Sequence, residues 1–247
     1  MSNNSIFRRS TTLMGLLLVV VIIGGFFIRS LISDDPDDAP VVESKNNGTD
    51  ATQEASQEQG DVYNEYQIKL DQALALKNSL SASEDEKINW KVYKSEKYGF
   101  QFQYPEGYIV ANEAELVPSE NAGAIFGYSL VEDSSRNRSY LAQKAPDAEP
   151  PASISVIVYQ KDHTKVNLSD WVPSIVTADE KEIPGIYEET RVSAQKALLY
   201  TASTMYEYDF VIVENNNYIY NFNVGFTGPE DQIRKDFYRA LFTVIFR

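Results

Sequence analysis

Residues 90–108 read WKVYKSEKYGFQFQYPEGY. Phe100, Phe102 and Tyr104 alternate with Gln101 and Gln103, the period of a strand with one apolar face and one wet face. Pro105 then occupies the second position of a Tyr-Pro-Glu-Gly turn, where its fixed φ suits type I or II geometry. Gly107 closes the turn before Tyr108, Ile109 and Val110 resume an apolar run. A strand that folds straight back into an opening hairpin is expected. Everything before Trp90 reads as delivery apparatus, and everything after it as one folded domain.

Composition narrows the chemistry. The 247 residues carry 22 Lys and Arg against 36 Asp and Glu, a formal net charge of -14. No basic run offers the clustered cations that phosphate backbones need, so no nucleic-acid partner is expected. The chain has no cysteine, which removes disulfides, thiolate catalysis and Cys-ligated metal centres.

The first ten residues carry Arg8 and Arg9, and TTLMGLLLVVVIIGGFFI follows without a charge before Arg29. About 18 such residues suffice to cross a thin hydrocarbon core. Residues 11–31 are therefore expected to form a single transmembrane signal-anchor, since the apolar run exceeds that of a cleavable signal and lacks a small-x-small site. The arginines place residues 1–10 in the cytoplasm and the bulk of the chain outside, single-pass in the cytoplasmic membrane.

Residues 32–60 are acidic and nearly empty of large apolar side chains, the composition of a disordered tether. Asp34, Asp35, Asp37 and Asp38 there surround Pro36 without the spacing of a calcium loop. Over residues 61–84, Val62, Tyr66, Leu70, Ala73, Leu76 and Leu80 recur at spacings of three and four, predicting one amphipathic helix. Its stripe has three possible uses: docking on the domain, pairing with a copy of itself, or continuing the stalk.

Within residues 90–247 further strands are expected at Gly123–Leu130 and around Ile154, Val156 and Val158, with a long polar loop between them that carries Arg136, Arg138 and Lys144. Asn167 and Asp170 have capping-box spacing ahead of a short helix with Leu168 and Trp171. Glu188–Thr204 reads as two strands about a turn at Ser193–Lys196. Tyr206, Tyr208, Phe210 and Ile212 alternate into a turn ending at Asn217, and Tyr218, Tyr220, Phe222, Val224 and Phe226 alternate out of it. A helix opening at Pro229 and a closing strand through Phe242, Val244 and Phe246 complete the pattern.

The motifs W-x-x-Y (Trp90, Tyr93) and Y-G-F-x-F-x-Y-P (Tyr98, Gly99, Phe100, Phe102, Tyr104, Pro105), with Phe237, Leu241, Phe242 and Phe246 at the far end, resemble the PsbP-like family over residues 90–247. The family takes its name from an extrinsic lumenal subunit of the oxygen-evolving photosystem, and many bacterial relatives are anchored or secreted. The resemblance implies an α+β fold, an antiparallel β-sheet flanked by helices on both faces in an α/β/α sandwich. No metal-binding histidine set is reproduced.

The constellations that would carry catalysis are weak. His163 is the only histidine, and Gly127-Tyr128-Ser129-Leu130-Val131 lacks the second glycine of a nucleophile elbow. Glu188 with Glu189, and Asp179 with Glu180, are adjacent and point apart on a strand. No glycine-rich phosphate loop occurs. Catalytic, cofactor-binding and metal-binding residues are therefore assigned to none, and the chain is read as non-enzymatic without a cofactor. The expected function is a membrane-anchored extracytoplasmic binding or accessory module acting through an unidentified protein partner. The alternative is an extracytoplasmic hydrolase or carbohydrate-active enzyme whose carboxylates meet only in three dimensions, with Tyr218 and Tyr220 lining an exposed cleft.

Overall fold

The computed structural model describes residues 50–80, 89–118, 123–144, 148–162, 167–171, 186–203 and 206–247, with side chains of the first helix described from Asn64. The expected membrane span at 11–31 lies outside these residues. Among the described residues no helix is long and apolar enough to cross a membrane.

The chain enters through helix α1 (Asp50–Leu80), which begins ahead of the expected Asp61. Strands β1 (Trp90–Ser95) and β2 (Phe100–Pro105) follow, then β3 (Tyr108–Glu115) and β4 (Ala124–Glu132). A short helix α2 (Ser135–Leu141) precedes β5 (Ser153–Gln160) and a 3-10 turn at Leu168–Trp171. Strands β6 (Glu188–Val192), β7 (Gln195–Ser203), β8 (Glu207–Asn215) and β9 (Tyr218–Phe226) lead to helix α3 (Gln232–Phe242) and strand β10 (Ile245–Phe246). The strands form two antiparallel sheets. A large one has the order β3-β4-β5-β9-β8-β7-β6, and a small one has the order β1-β2-β10.

The opening stretch departs from the expected hairpin. β2 pairs with β1, Tyr93 facing Phe102, while β3 pairs with β4 in the large sheet. The Pro105–Gly107 turn therefore hands the chain from one sheet to the other. Burial explains the handover: Phe100, Phe102 and Tyr104 are at most 8% exposed, and they reach that state only by lying over another sheet. Gly99 makes the preceding bend possible. Its φ is +66°, and a β-carbon there would meet the Arg247 carbonyl oxygen at 3.0 Å, so any side chain is both strained and crowded.

Register divides the large sheet into two faces. Val211 lies opposite Phe222 and Val213 opposite Tyr220, while Phe210 lies opposite Asn223 and Ile212 opposite Asn221. The aromatic sets of β8 and β9 thus point to opposite faces, because directly paired residues share a face. On the first face Tyr128, Leu130, Val156, Val158, Phe222 and Val224 form one core with Phe100 and Phe102 of the small sheet, Phe237 and Leu241 of α3, and Leu70 and Ala73 of α1. Tyr159, Leu198, Tyr200, Ile212 and Ile219 form a second core with Trp171 of the 3-10 turn.

The α+β class and the antiparallel sheet are observed. The described helices α1 and α3 share the first core, and the 3-10 turn belongs to the second. Of the three uses open to the amphipathic helix, the structure shows docking: Leu70 and Ala73 are buried, and Lys69 pairs with Glu207 of β8 at 3.4 Å.

Local signals explain the other departures. In the expected polar loop, Ser134 caps α2 by accepting from the Asn137 N–H at 3.1 Å. At Asn167 the capping-box bond forms, its N–H donating to the Asp170 carboxylate at 2.9 Å, but it starts a 3-10 turn. Helix α3 begins at Gln232 rather than Pro229, because Asp231 turns its carboxylate back to the Thr227 N–H (2.8 Å), the Thr227 hydroxyl (2.9 Å) and the Gly228 N–H (3.0 Å). Phe242 belongs to α3 instead of the last strand, which shrinks to two residues.

The β6–β7 turn holds Ser193 at φ +49° and Ala194 at φ +69°, a left-handed pair that L residues resist by about 1–2 kcal/mol each. Ala194→Gly is expected to stabilise the protein by about 0.5–1 kcal/mol after the greater freedom of glycine in the unfolded chain is counted. A calorimetric melt checks this, with a rise in Tm of about 1–4 °C expected.

Candidate interaction surface

Among the described residues, β3 carries two carboxylates on the first face. Glu113 and Glu115 alternate on β3, and both are engaged: Tyr93 donates its hydroxyl to Glu113 at 2.9 Å, while Lys97 at 2.6 Å and the Tyr98 hydroxyl hold Glu115. Burial presses the Glu115 carboxyl upward, but the Lys97 and Tyr98 hydrogen bonds hold it below the usual carboxylate range. That is the wrong direction for a general acid. Asp209 is shifted the other way, raised by burial against the pull of Arg234 and Tyr238, yet it is 0% exposed and no substrate reaches it.

The remaining sequence candidates disperse. Glu188 and Glu189 face Leu199 and Leu198, on opposite faces of an edge strand. Ser129 sits inside β4 opposite Ser155 rather than on a strand-to-helix elbow. Tyr220 lines no cleft: it is 1% exposed, and its hydroxyl donates to the Tyr98 carbonyl at 2.6 Å. Tyr218 packs edge-on against Tyr98. His163, Asp179 and Glu180 lie outside the described residues. Among the described residues no group of three His, Cys, Asp or Glu is placed to hold a metal ion.

A cavity of about 10 Å³ lies between Phe102, Val156, Phe222, Phe237 and Leu241. That is room for about one water molecule, whereas ligand pockets measure roughly 300–1,000 Å³. Its lining is wholly apolar, so it has no partners for a water and stays dry.

The outward face of the small sheet is different. With Phe100, Phe102 and Tyr104 turned inward, the alternate positions Gln101 and Gln103 turn out, and register sets Val92 beside Gln103 and both Lys94 and Ile245 beside Gln101. Val92 is 59% and Ile245 48% exposed. The outward positions Val92, Lys94, Gln101, Gln103, Pro105 and Ile245 contain no carboxylate, in a chain of net charge -14. The face is braced from below and beside. Thr243 accepts the Gln103 N–H at 2.7 Å, and Arg247 donates to the Gln101 side chain at 2.7 Å. Glu96, in the adjoining turn, is paired with Lys94. Apolar and amide groups without acids are the composition of an interface centre. The same alternation that reveals the buried aromatics names these residues, but period alone does not say that Val92 is left uncovered.

No family model and no curated protein matches the sequence. In fold, the chain is similar to the solution structure of cyanobacterial PsbP (CyanoP) from Synechocystis sp., with 12% identity and a TM-score of 0.43, over 67% of this chain and 97% of that one. That neighbour is a PsbP, the family that the sequence resembles. A crystal structure from Bacteroides thetaiotaomicron also matches, with 12% identity and a TM-score of 0.38, over 65% of this chain and 49% of that one. Likeness of this degree concerns fold and carries neither activity nor partner.

Proposed function

We propose that this chain is a membrane-anchored, extracytoplasmic accessory module that performs no catalysis and binds a partner protein through the outward face of β1, β2 and β10. The observation that carries this reading is the carboxylate-free patch around Val92, Gln103 and Ile245 on a strongly acidic chain. Its partner has an apolar centre to cover Val92 and Ile245. The uncharged run before residue 29 and the arginines ahead of it support the anchor and its orientation.

A photo-crosslinking residue placed at Val92 or Ile245 of the full chain in intact cells is expected to yield one discrete adduct that a residue placed at Lys144 does not. Val92→Lys should abolish an adduct formed at position 245 while changing stability by no more than about 0.5 kcal/mol. Equal labelling from all three sites, or none from any, defeats the reading. Protease added to the same cells should remove the domain, and protection would overturn the outward orientation.

A further inference from the structure

Lys77 is the one lysine that is buried among the described residues. It lies on α1 and is only 8% exposed, and lysines are almost never buried so deeply unless paired. Lys69, two turns earlier on the same helix, pairs with both Glu65 and Glu207. Lys77 makes no ion pair among the described residues. Its ammonium donates to Thr190 Oγ1 at 2.9 Å and stands 5.7 Å from the centre of the Phe242 ring. Neither neighbour brings a negative charge, and burial lowers the lysine's affinity for its proton.

Both groups keep hydrogen-bond donors to give. Thr190, having accepted from Lys77, keeps its own hydroxyl hydrogen to give, and the ammonium keeps hydrogens beyond the one it spends on Thr190. Thr190 stands on β6, which ends the large sheet among the described residues. Phe242 is 42% exposed and supplies an apolar wall beside the ammonium.

We propose that Lys77 and Thr190 form a seat for a carboxylate borne on a peptide, with Phe242 packing against the residue that carries it. This seat rests on an observation separate from the outward face of the small sheet. A peptide suits it better than a free anion because the exposed ring offers surface that a bare ion leaves unused.

The purified full chain, labelled at its lysines, is titrated with the blocked dipeptide Ac-Phe-Glu-NH2, its Gln counterpart, and inorganic phosphate. The Glu peptide is expected to move the Lys77 side-chain resonance and raise Tm, and the Gln peptide to do neither. Thr190→Val, which leaves the charge in place, should weaken binding by about tenfold or more, the effect of one hydrogen bond to a charged group. Lys77→Met should abolish the response. If that variant does not fold, the Thr190→Val comparison decides alone. Equal responses to the Glu and Gln peptides, a response to phosphate alone, or none at all overturns the proposal. So does a shift of the Lys77 resonance when Glu84, Asp85 and Glu86 are converted to amides, because the anion would then be the chain's own.

Discussion

Asp209→Ala is expected to lower the stability of the domain by about 3–5 kcal/mol, read as a fall in the urea midpoint at unchanged slope. Asp209 is fully buried on β8, and Arg234 of α3 grips it with two bonds, Nε to Oδ2 at 2.6 Å and Nη2 to Oδ1 at 3.1 Å. The Tyr238 hydroxyl adds a third at 2.8 Å, and the guanidinium lies 4.2 Å above the centre of the Phe226 ring. Removing the carboxylate strands a cation that is 2% exposed. The pair itself is a poor source of stability. Burial raises the Asp209 carboxyl above its ordinary value even with Arg234 in contact. A carboxyl raised in the folded state contributes most below its unfolded pKa and loses that contribution as pH climbs through the folded one. The double replacement Asp209→Leu with Arg234→Met is accordingly expected to fall near the parent or up to a few kcal/mol above it. A double variant as unstable as the single one would show that the network does more than fix the position of α3.

Phe100→Ala should cost about 3–5 kcal/mol, the usual range for an aromatic removed from a closed core. The ring is 1% exposed, and its centre lies 5.5 Å from Tyr220, 5.8 Å from Tyr93 and 6.3 Å from Phe222. It therefore joins the two sheets rather than merely filling one. Hydrogen exchange should locate the damage: amides of β1 and β2 are expected to lose more protection than those of β7 and β8. Uniform loss would mean that the sheets open only together. Val92→Ala, on the outward face of the same small sheet, is the matched control and should stay within about 0.5 kcal/mol.

The contrast between Phe100 and Val92 shows how far the sequence could be read. Alternation at Phe100–Tyr104 and Tyr218–Phe226 revealed the strands and their buried sides, because a period of two survives in any sheet whose face is covered. It did not reveal the partner of β2. A turn with Pro105 and Gly107 suits a hairpin and a crossing between sheets equally well, and only the need to bury Phe102 over Tyr128 and Phe222 distinguishes them. Helix α3 was legible, but its start was not, since Asp231 carries its bonds backward to Thr227 and Gly228. The outward face was hidden because exposure is a property of what fails to pack. Lys77 was hidden too: nothing in its helical neighbours tells that Thr190, far along the chain, will be its hydrogen-bond partner.

Strand β10 is only two residues, yet it joins Ile245 to Gln101 and Phe246 to Phe100. Phe246 and Phe100 are separated by 146 positions, as are Gln101 and Arg247, whose side chains are bonded. Contacts of such separation form late and slow folding, because the intervening chain must be ordered before they are made. During synthesis β1 and β2 emerge well before β9, α3 and β10, and for that interval Phe100 lacks the Tyr220 and Phe222 rings that enclose it. The stretch that opens the domain is thus the last to be enclosed. A chain halted before Tyr218 would leave Phe100 without those rings, the period in which it most needs protection from aggregation.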